Sequence, residues 1–282
     1  MRLGFIGLGN MGGVLAHNLV ERGHDVVAFD AAGAQRCPEG AEFAEDATDV
    51  GRRSEVVVLS LPDGSVSEQV VQELTAAPDR AVRHIVDTST IGPAGARMIE
   101  QLAGTEVGYV DAPVSGGAAG AKARTLVVMY AGSDDACAAV EPVLVDLSDR
   151  RYRVGDRPGM AQVLKLANNF LSATALAATS EAVAFAVSAG LDLATALDVI
   201  NASSGQSAAS SDKFVNHVQP GRYASGFLNT LMRKDVDLYL SSAVDAGSPA
   251  RIAAVTAALW REFADAEPGA DFTRIYPFVQ QT

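Results

Sequence analysis

The sequence predicts a two-part α/β protein. A doubly wound, mostly parallel sheet of the Rossmann type covers residues 1–158, and an all-helical half, opened by a long interdomain helix, covers residues 159–282. Three observations carry this prediction. Short apolar runs alternate with helical periodicity through the first half. A glycine-rich turn, Gly7-Leu8-Gly9-Asn10-Met11-Gly12, joins the first apolar run to the first helical one. The stretch from Gly159 to Gly190 has no interior proline, a glycine at each end and abundant Ala and Leu, which favours one helix roughly 45 Å long.

The elements follow in order. Arg2–Ile6 is an apolar strand, Gly13–Arg22 has helical spacing, and Asp25–Phe29 is a second strand ending at Asp30. This is a βαβ unit with G-x-G-x-x-G in its first turn. One glycine makes the turn, one lets a pyrophosphate approach the backbone, and one lets helix and strand pack closely. The helix N-terminus then offers N–H groups and partial positive charge to the phosphates. At the end of the second strand, Asp30 can accept from the ribose hydroxyls of an adenosine and would repel a 2′-phosphate. That favours NAD, with NADP as the second option because Arg36 is close in sequence.

Ser54–Leu61 reads as a buried parallel strand. Pro62–Ser65 is a turn, and a helix runs to about Ala76. His84–Asp87 is a further strand that runs into Thr88-Ser89-Thr90-Ile91. Leu61, Pro62 and Thr90 thus lie at the C-terminal ends of strands, where such sheets bind ligands. Val107–Val114 is a strand leading into Ser115-Gly116-Gly117, a bend whose N–H groups and hydroxyl suit a carboxylate. An ordinary glycine-rich turn is the plain alternative. Leu126–Ala131 and Tyr152–Val154 are strands, with a helix over Asp134–Leu147 between them.

The long helix carries one charge between Pro158 and Ser180, Lys165. A lone cation in an apolar helix is costly to dehydrate, so it needs a partner or a use. Asn169 lies on the same face one turn later. The plain alternative is a core helix whose lysine snorkels to water. Beyond Gly190 the pattern is helical: Asp192–Asn201, a polar stretch over Ser203–Ser211, Asn229–Ala246 with Lys234-Asp235 on an amphipathic face, and Pro249–Ala264. The segment Ala270–Thr282 reads as a poorly anchored tail.

Composition narrows the function. The 282 residues are 48% hydrophobic, enough for a real core. A net charge of −12 argues against nucleic acid or an anionic membrane as a partner, so an anionic substrate needs a local positive site. Cys37 and Cys137 are far apart and fit a reducing, cytoplasmic setting. His17, His24, His84 and His217 show no metal-ligand spacing, and no metal is expected. No segment gives about twenty uninterrupted apolar residues, so no membrane span is expected.

Four blocks together resemble the β-hydroxyacid dehydrogenases, the group of 3-hydroxyisobutyrate dehydrogenase, tartronate semialdehyde reductase and 6-phosphogluconate dehydrogenase. They are GFIGLGNMG at Gly4–Gly12, DAPVSGGAAGAKARTLVVMYAG at Asp111–Gly132, GMAQVLKLANN at Gly159–Asn169, and FLNTLMRKDVDLYL at Phe227–Leu240. The resemblance implies roles residue by residue. Gly7, Leu8, Gly9, Asn10, Met11 and Gly12 would bind the dinucleotide, with Leu61, Pro62 and Thr90 lining that cleft. Ser115, Gly116 and Gly117 match the family's substrate-carboxylate loop. Lys165 matches the catalytic lysine, Asn169 the asparagine at the reacting oxygen, and Lys234 a lysine that reaches the cofactor cleft from the helical domain. The resemblance further implies a homodimer or homotetramer formed through the helical domain. The sequence departs from the family pattern at Arg124 and Ala161, where glycine is usual, and at Leu15, in place of a common Met.

The implied chemistry is hydride transfer between a nicotinamide and a small 3-hydroxy acid or its semialdehyde. Burial in an apolar helix and a nearby cationic nicotinamide both disfavour an ammonium, so Lys165 could take a proton from the hydroxyl or return it. Asn169 would orient the oxygen, and Ser115 with the Gly116 and Gly117 N–H groups would hold the carboxylate. Two other readings compete: an imine or ketone reductase on the same scaffold, and a non-catalytic dinucleotide-binding module.

Overall fold

A computed structural model describes residues 2–281. The chain forms two compact units, Met1–Lys165 and Leu166–Thr282, and the division falls inside the long helix, after Lys165.

In the first unit the elements are β1 (Arg2–Ile6), α1 (Gly12–Glu21), β2 (Asp25–Phe29), β3 (Glu42–Phe43), α2 (Ala47–Arg53), β4 (Val56–Leu59), α3 (Gly64–Ala76), β5 (His84–Asp87), α4 (Gly92–Ala103), β6 (Gly108–Asp111), β7 (Val114–Ser115), α5 (Gly117–Lys122), β8 (Val127–Ala131), α6 (Asp134–Leu147) and β9 (Arg150–Gly155). Among the described residues they make a nine-stranded sheet in the order β3-β2-β1-β4-β5-β6-β8-β7, with β9 on β8. The strands from β3 to β6 are parallel, and β8 runs antiparallel to β6 and β7.

Period-two alternation explains why the central strands are apolar throughout. Leu3, Phe5, Val26, Ala28, Val56 and Val58 face Leu15 and Leu19 of α1 and Val140 and Leu144 of α6. Ile6, Val27, Val57 and Leu59 face the other way, onto Val50, Val71, Leu74 and Ile99 of α2, α3 and α4. Side-chain caps start three of these helices: Asp46 accepts from Asp49 N, Asp63 from Val66 N, and Ser133 from Ala136 N.

Several elements differ from the sequence expectation. The helices α2, α4 and α5 and the short strand β3 go beyond the sequence expectation; α2, α5 and β3 are short, and α4 opens on Gly92-Pro93 with no cap of its own to mark its start. The run Val107–Val114 is two strands, β6 and β7. Pro113 has no N–H for a ladder, and there the chain leaves its pairing with β5 for a pairing with β8.

Across the division runs α7 (Met160–Ser188), one unbroken helix of 29 residues. The second unit continues with α8 (Leu193–Asn201), a π-helical segment (Ala209–Val218), α9 (Asn229–Asp245), α10 (Arg251–Ala266) and α11 (Ile275–Val279). Its core joins Trp260 and Phe263 to Phe214, Met232, Val236, Leu176 and Ala173. The segment from Ala270 through Gln281 is anchored, contrary to the sequence reading, and Thr282 lies outside the described residues. Phe272, Ile275 and Tyr276 are buried in that core, and the Asp271 carboxylate accepts from Ser225 Oγ, Gly226 N and Thr273 N. An aromatic triplet spaced at Phe272, Tyr276 and Phe278 signals this docking; the flanking polar residues masked it.

Candidate active site

The parallel strands of the first unit end in register: Ile6 pairs with Phe29 and Leu59, Leu59 with Asp87, and Asp87 with Asp111. All the expected site segments of this unit other than Lys165 therefore leave the same edge of the sheet or follow directly from it. The glycine turn is the tightest of them. Gly7 has φ +94°, and a Cβ there would lie 2.3 Å from Ser60 O. A Cβ on Gly12 would lie 1.9 Å from Gly7 O. Neither position admits a side chain. Gly9 is different: a Cβ there would meet nothing within 4 Å. The chain itself does not require Gly9, and the open space beside it adjoins the start of α1, which carries no side-chain cap and no acidic residue in its first turn. That cradle suits a pyrophosphate and fits the residues that would hold a dinucleotide.

Asp30 is buried and already engaged. Its Oδ2 accepts from Leu8 N at 2.6 Å and its Oδ1 from Ala32 N at 2.8 Å, while Arg36 Nη1 lies 3.3 Å away. The carboxylate thus braces the glycine turn. The ion pair also restrains Arg36, the group best suited to a 2′-phosphate. Asp30→Asn should raise NADP use relative to NAD by about tenfold, by removing a negative charge and releasing Arg36. The ratio of kcat/KM for the two cofactors checks this, and an unchanged ratio would refute it.

Leu61 N donates to Ser89 Oγ at 2.8 Å, tying the loop after β4 to the loop after β5 that carries Thr90. Pro62 follows Leu61 directly. At the far side of the sheet Ser115 ends β7, and Gly116 (φ +132°) and Gly117 (φ +66°) turn the chain into α5 through left-handed backbone. Arg124, where the family has glycine, also has positive φ, +58°. Its backbone N–H closes the end of α5 on Ala121 O.

Lys165 is 7% exposed on α7. The helix reaches it from a start pinned to the sheet: Gln162 N donates to Asp111 Oδ2 at 3.1 Å. Asp111 has a carboxyl pushed up to about 7, by burial first, with the Asp87 charge adding and the N–H groups of Gln162 and Gly159 opposing. Folded Asp111 holds a proton between about pH 4 and 7 that the unfolded chain has released, so stability falls as pH rises through that window and is level above it. Asp111→Asn should remove this slope and gain a few kcal/mol relative to wild type between pH 5 and pH 8. Urea unfolding at both pH values measures it; parallel curves for the two proteins would refute the assignment.

In the second unit, Asn169 is buried and its Nδ2 donates to Asp235 Oδ2 at 2.6 Å. A carboxylate only accepts, so this bond fixes which end of the amide faces α9. Asp235 is itself buried, with the Lys234 ammonium 3.3 Å from its Oδ1. The Lys234–Asp235 pair is therefore half inside the unit rather than a surface pair. Sequence reasoning missed Asp235, Asp111 and Gln162 as site-building residues. The signal was their place within the motif blocks: Asp111 is a polar residue at a strand end, Gln162 lies one turn before Lys165, and Asp235 follows Lys234 directly.

A doubly wound domain with a glycine turn suited to a pyrophosphate and an acidic residue at the end of the next strand defines a dinucleotide-binding protein. Residues 2–155 match the NAD-binding domain of 6-phosphogluconate dehydrogenase, and residues 159–279 match the domain described as NAD-binding of NADP-dependent 3-hydroxyisobutyrate dehydrogenase. The 3-hydroxyisobutyrate dehydrogenase of Pseudomonas aeruginosa is 36% identical over 97% of this chain and 96% of its own. The 2-(hydroxymethyl)glutarate dehydrogenase of Eubacterium barkeri is 35% identical over 88% of this chain and 84% of its own. The solved structure of Mycobacterium tuberculosis 3-hydroxyisobutyrate dehydrogenase with L-serine superposes with a TM-score of 0.90 at 28% identity, covering 99% of each chain. A Streptomyces aurantiacus imine reductase shares the fold at 21% identity and a TM-score of 0.64. The chain belongs to the β-hydroxyacid dehydrogenase family and is an NAD(P)-dependent 3-hydroxyacid dehydrogenase.

Proposed function

We propose that this chain interconverts a small 3-hydroxy acid and its semialdehyde, with Lys165 moving the proton. The observation that carries the reading is Lys165, buried to 7% exposure, with Asn169 one turn further along the same helix and held by Asp235. A bound nicotinamide supplies the hydride acceptor or donor. The protein handles everything else. In oxidation the Lys165 amine accepts the hydroxyl proton as the C–H hydride leaves; in reduction its ammonium returns a proton to the new alkoxide. Asn169, oriented by the bond that one of its two amide N–H groups donates to Asp235, holds the oxygen. Ser115 Oγ and the Gly116 and Gly117 N–H groups grip the carboxylate and so select the carbon that reacts. Leu61, Pro62 and Thr90, at the C-terminal ends of their strands, line the nicotinamide side.

The test is turnover, with NAD and with NADP, of 3-hydroxyisobutyrate, serine, glycerate, threonate, 3-hydroxypropionate, 6-phosphogluconate and 2-(hydroxymethyl)glutarate. The dicarboxylate belongs in the panel because Arg124 brings a cation to the segment leading into β8, the strand that pairs with Ser115. Turnover of cyclic imines with none of these acids would favour the reductase reading instead.

The same reading makes the protein a cytoplasmic homodimer or homotetramer. By length and composition alone α7 could cross a membrane. However, it carries Lys165, Asn168 and Asn169 near one end and an exposed Glu181 further along, which lipid would penalise. Leu171 and Phe185 on α7 and Ile252 and Val255 on α10 are each more than half exposed. Apolar surface of this kind on a helical unit suits a second copy of the chain. Light scattering on the purified protein tests this, and a monomer at micromolar concentration would refute it.

A further inference from the structure

Gln162 is wholly buried and makes hydrogen bonds through every polar group of its amide. Its Oε1 accepts from Ile91 N at 3.0 Å and Gly92 N at 3.2 Å, and its Nε2 donates to Ser89 O at 3.1 Å. Its own backbone N–H is taken by Asp111. Helix α4 begins at Gly92 with Pro93 in its first turn and no cap from its own sequence, so the Gln162 side chain supplies the missing acceptor. The Ser89 hydroxyl in turn accepts from Leu61 N. One continuous set of bonds therefore runs from the loop after β4, through the loop after β5, to the first turn of α7. Lys165 follows on the same face of that helix. A buried glutamine is expensive unless fully satisfied, and this one joins three segments that the family places around the reaction.

We propose that Gln162 is a positioning residue for proton transfer: it keys the turn bearing Lys165 to the loops bearing Leu61 and Thr90, and so sets where the amine sits relative to them. This rests on the reading of Lys165 as the proton carrier. Displacing a reacting group by about an ångström is enough to cost on the order of a hundredfold in rate. An ordinary cap for α4 would instead cost stability alone.

The test compares wild type with Gln162→Met, which matches the length and removes all the side-chain bonds, and Gln162→Asn, which is too short to reach Ser89 O and Ile91 N together. The chain has four lysines, Lys122, Lys165, Lys213 and Lys234, so a ¹³Cε-lysine NMR titration resolves Lys165, with Lys165→Ala giving its assignment. Gln162→Met should lower kcat by about ten- to a hundredfold, leave both KM values within about threefold, and move the Lys165 titration midpoint by about half a pH unit or more. Gln162→Asn should show the same changes at smaller size, and it decides the matter if the Met variant does not fold. A lower melting temperature with unchanged kcat and an unchanged Lys165 titration would reduce Gln162 to a helix cap and overturn the proposal. The titration needs no substrate. If the wild type turned over no hydroxyacid, the function assigned above would fall while the NMR arm still decided on Gln162.

Discussion

Lys165→Ala is expected to lower kcat by a few hundredfold or more, the scale of losing a general acid–base, while NADH binds as before. The two effects separate because the glycine turn is braced by Asp30 and abuts Ser60, on segments far from α7 in sequence. Lys165→Arg sharpens the result. A guanidinium keeps the charge but does not give up its proton near neutral pH, so this variant should be as inactive as the alanine. Steady-state rates alongside nicotinamide fluorescence titrations provide both readings. Turnover retained in the alanine variant would remove Lys165 from the mechanism. Activity retained by the arginine variant alone would make it an electrostatic group rather than a proton carrier.

The second large effect is expected in the glycine turn, where two glycines should behave in opposite ways. Gly12→Ala puts a Cβ against Gly7 O at 1.9 Å and Ser60 Cβ at 2.9 Å, so backbone must shift to admit it. Overpacking of backbone on backbone costs on the order of 3 kcal/mol. The variant should lose that stability and bind dinucleotide about a hundredfold more weakly. Gly9→Ala meets nothing within 4 Å, so the melting temperature should stay where it is or rise slightly. On the proposed binding mode its Cβ would nevertheless enter the space of the pyrophosphate, and affinity for NADH should fall sharply. Thermal melts and fluorescence titrations of both variants check this. If Gly9→Ala binds NADH normally, the pyrophosphate does not lie against that turn.

Much of this was legible without coordinates. The glycine turn between β1 and α1 shows in local spacing, as does Asp30 at the next strand end, because a βαβ unit is built from contiguous residues. Lys165 and Asn169 share a face by helical period alone. Asp30 shows the limit of such reading. Its position was evident, but not that Leu8 N, Ala32 N and Arg36 already claim its carboxylate.

Sequence alone determined the opening βαβ unit, the dinucleotide turn and the lysine–asparagine pair on the long helix. Only the tertiary structure decided how those groups are held. Asp235 reaches Asn169 across 66 residues, Gln162 reaches Ile91 across 71, and Phe272, Ile275 and Tyr276 anchor an end of the chain that reads as loose. Turns and helices are written in the spacing of neighbours. A hydrogen bond between distant residues depends on how the helices and the sheet finally pack, and no local period encodes it.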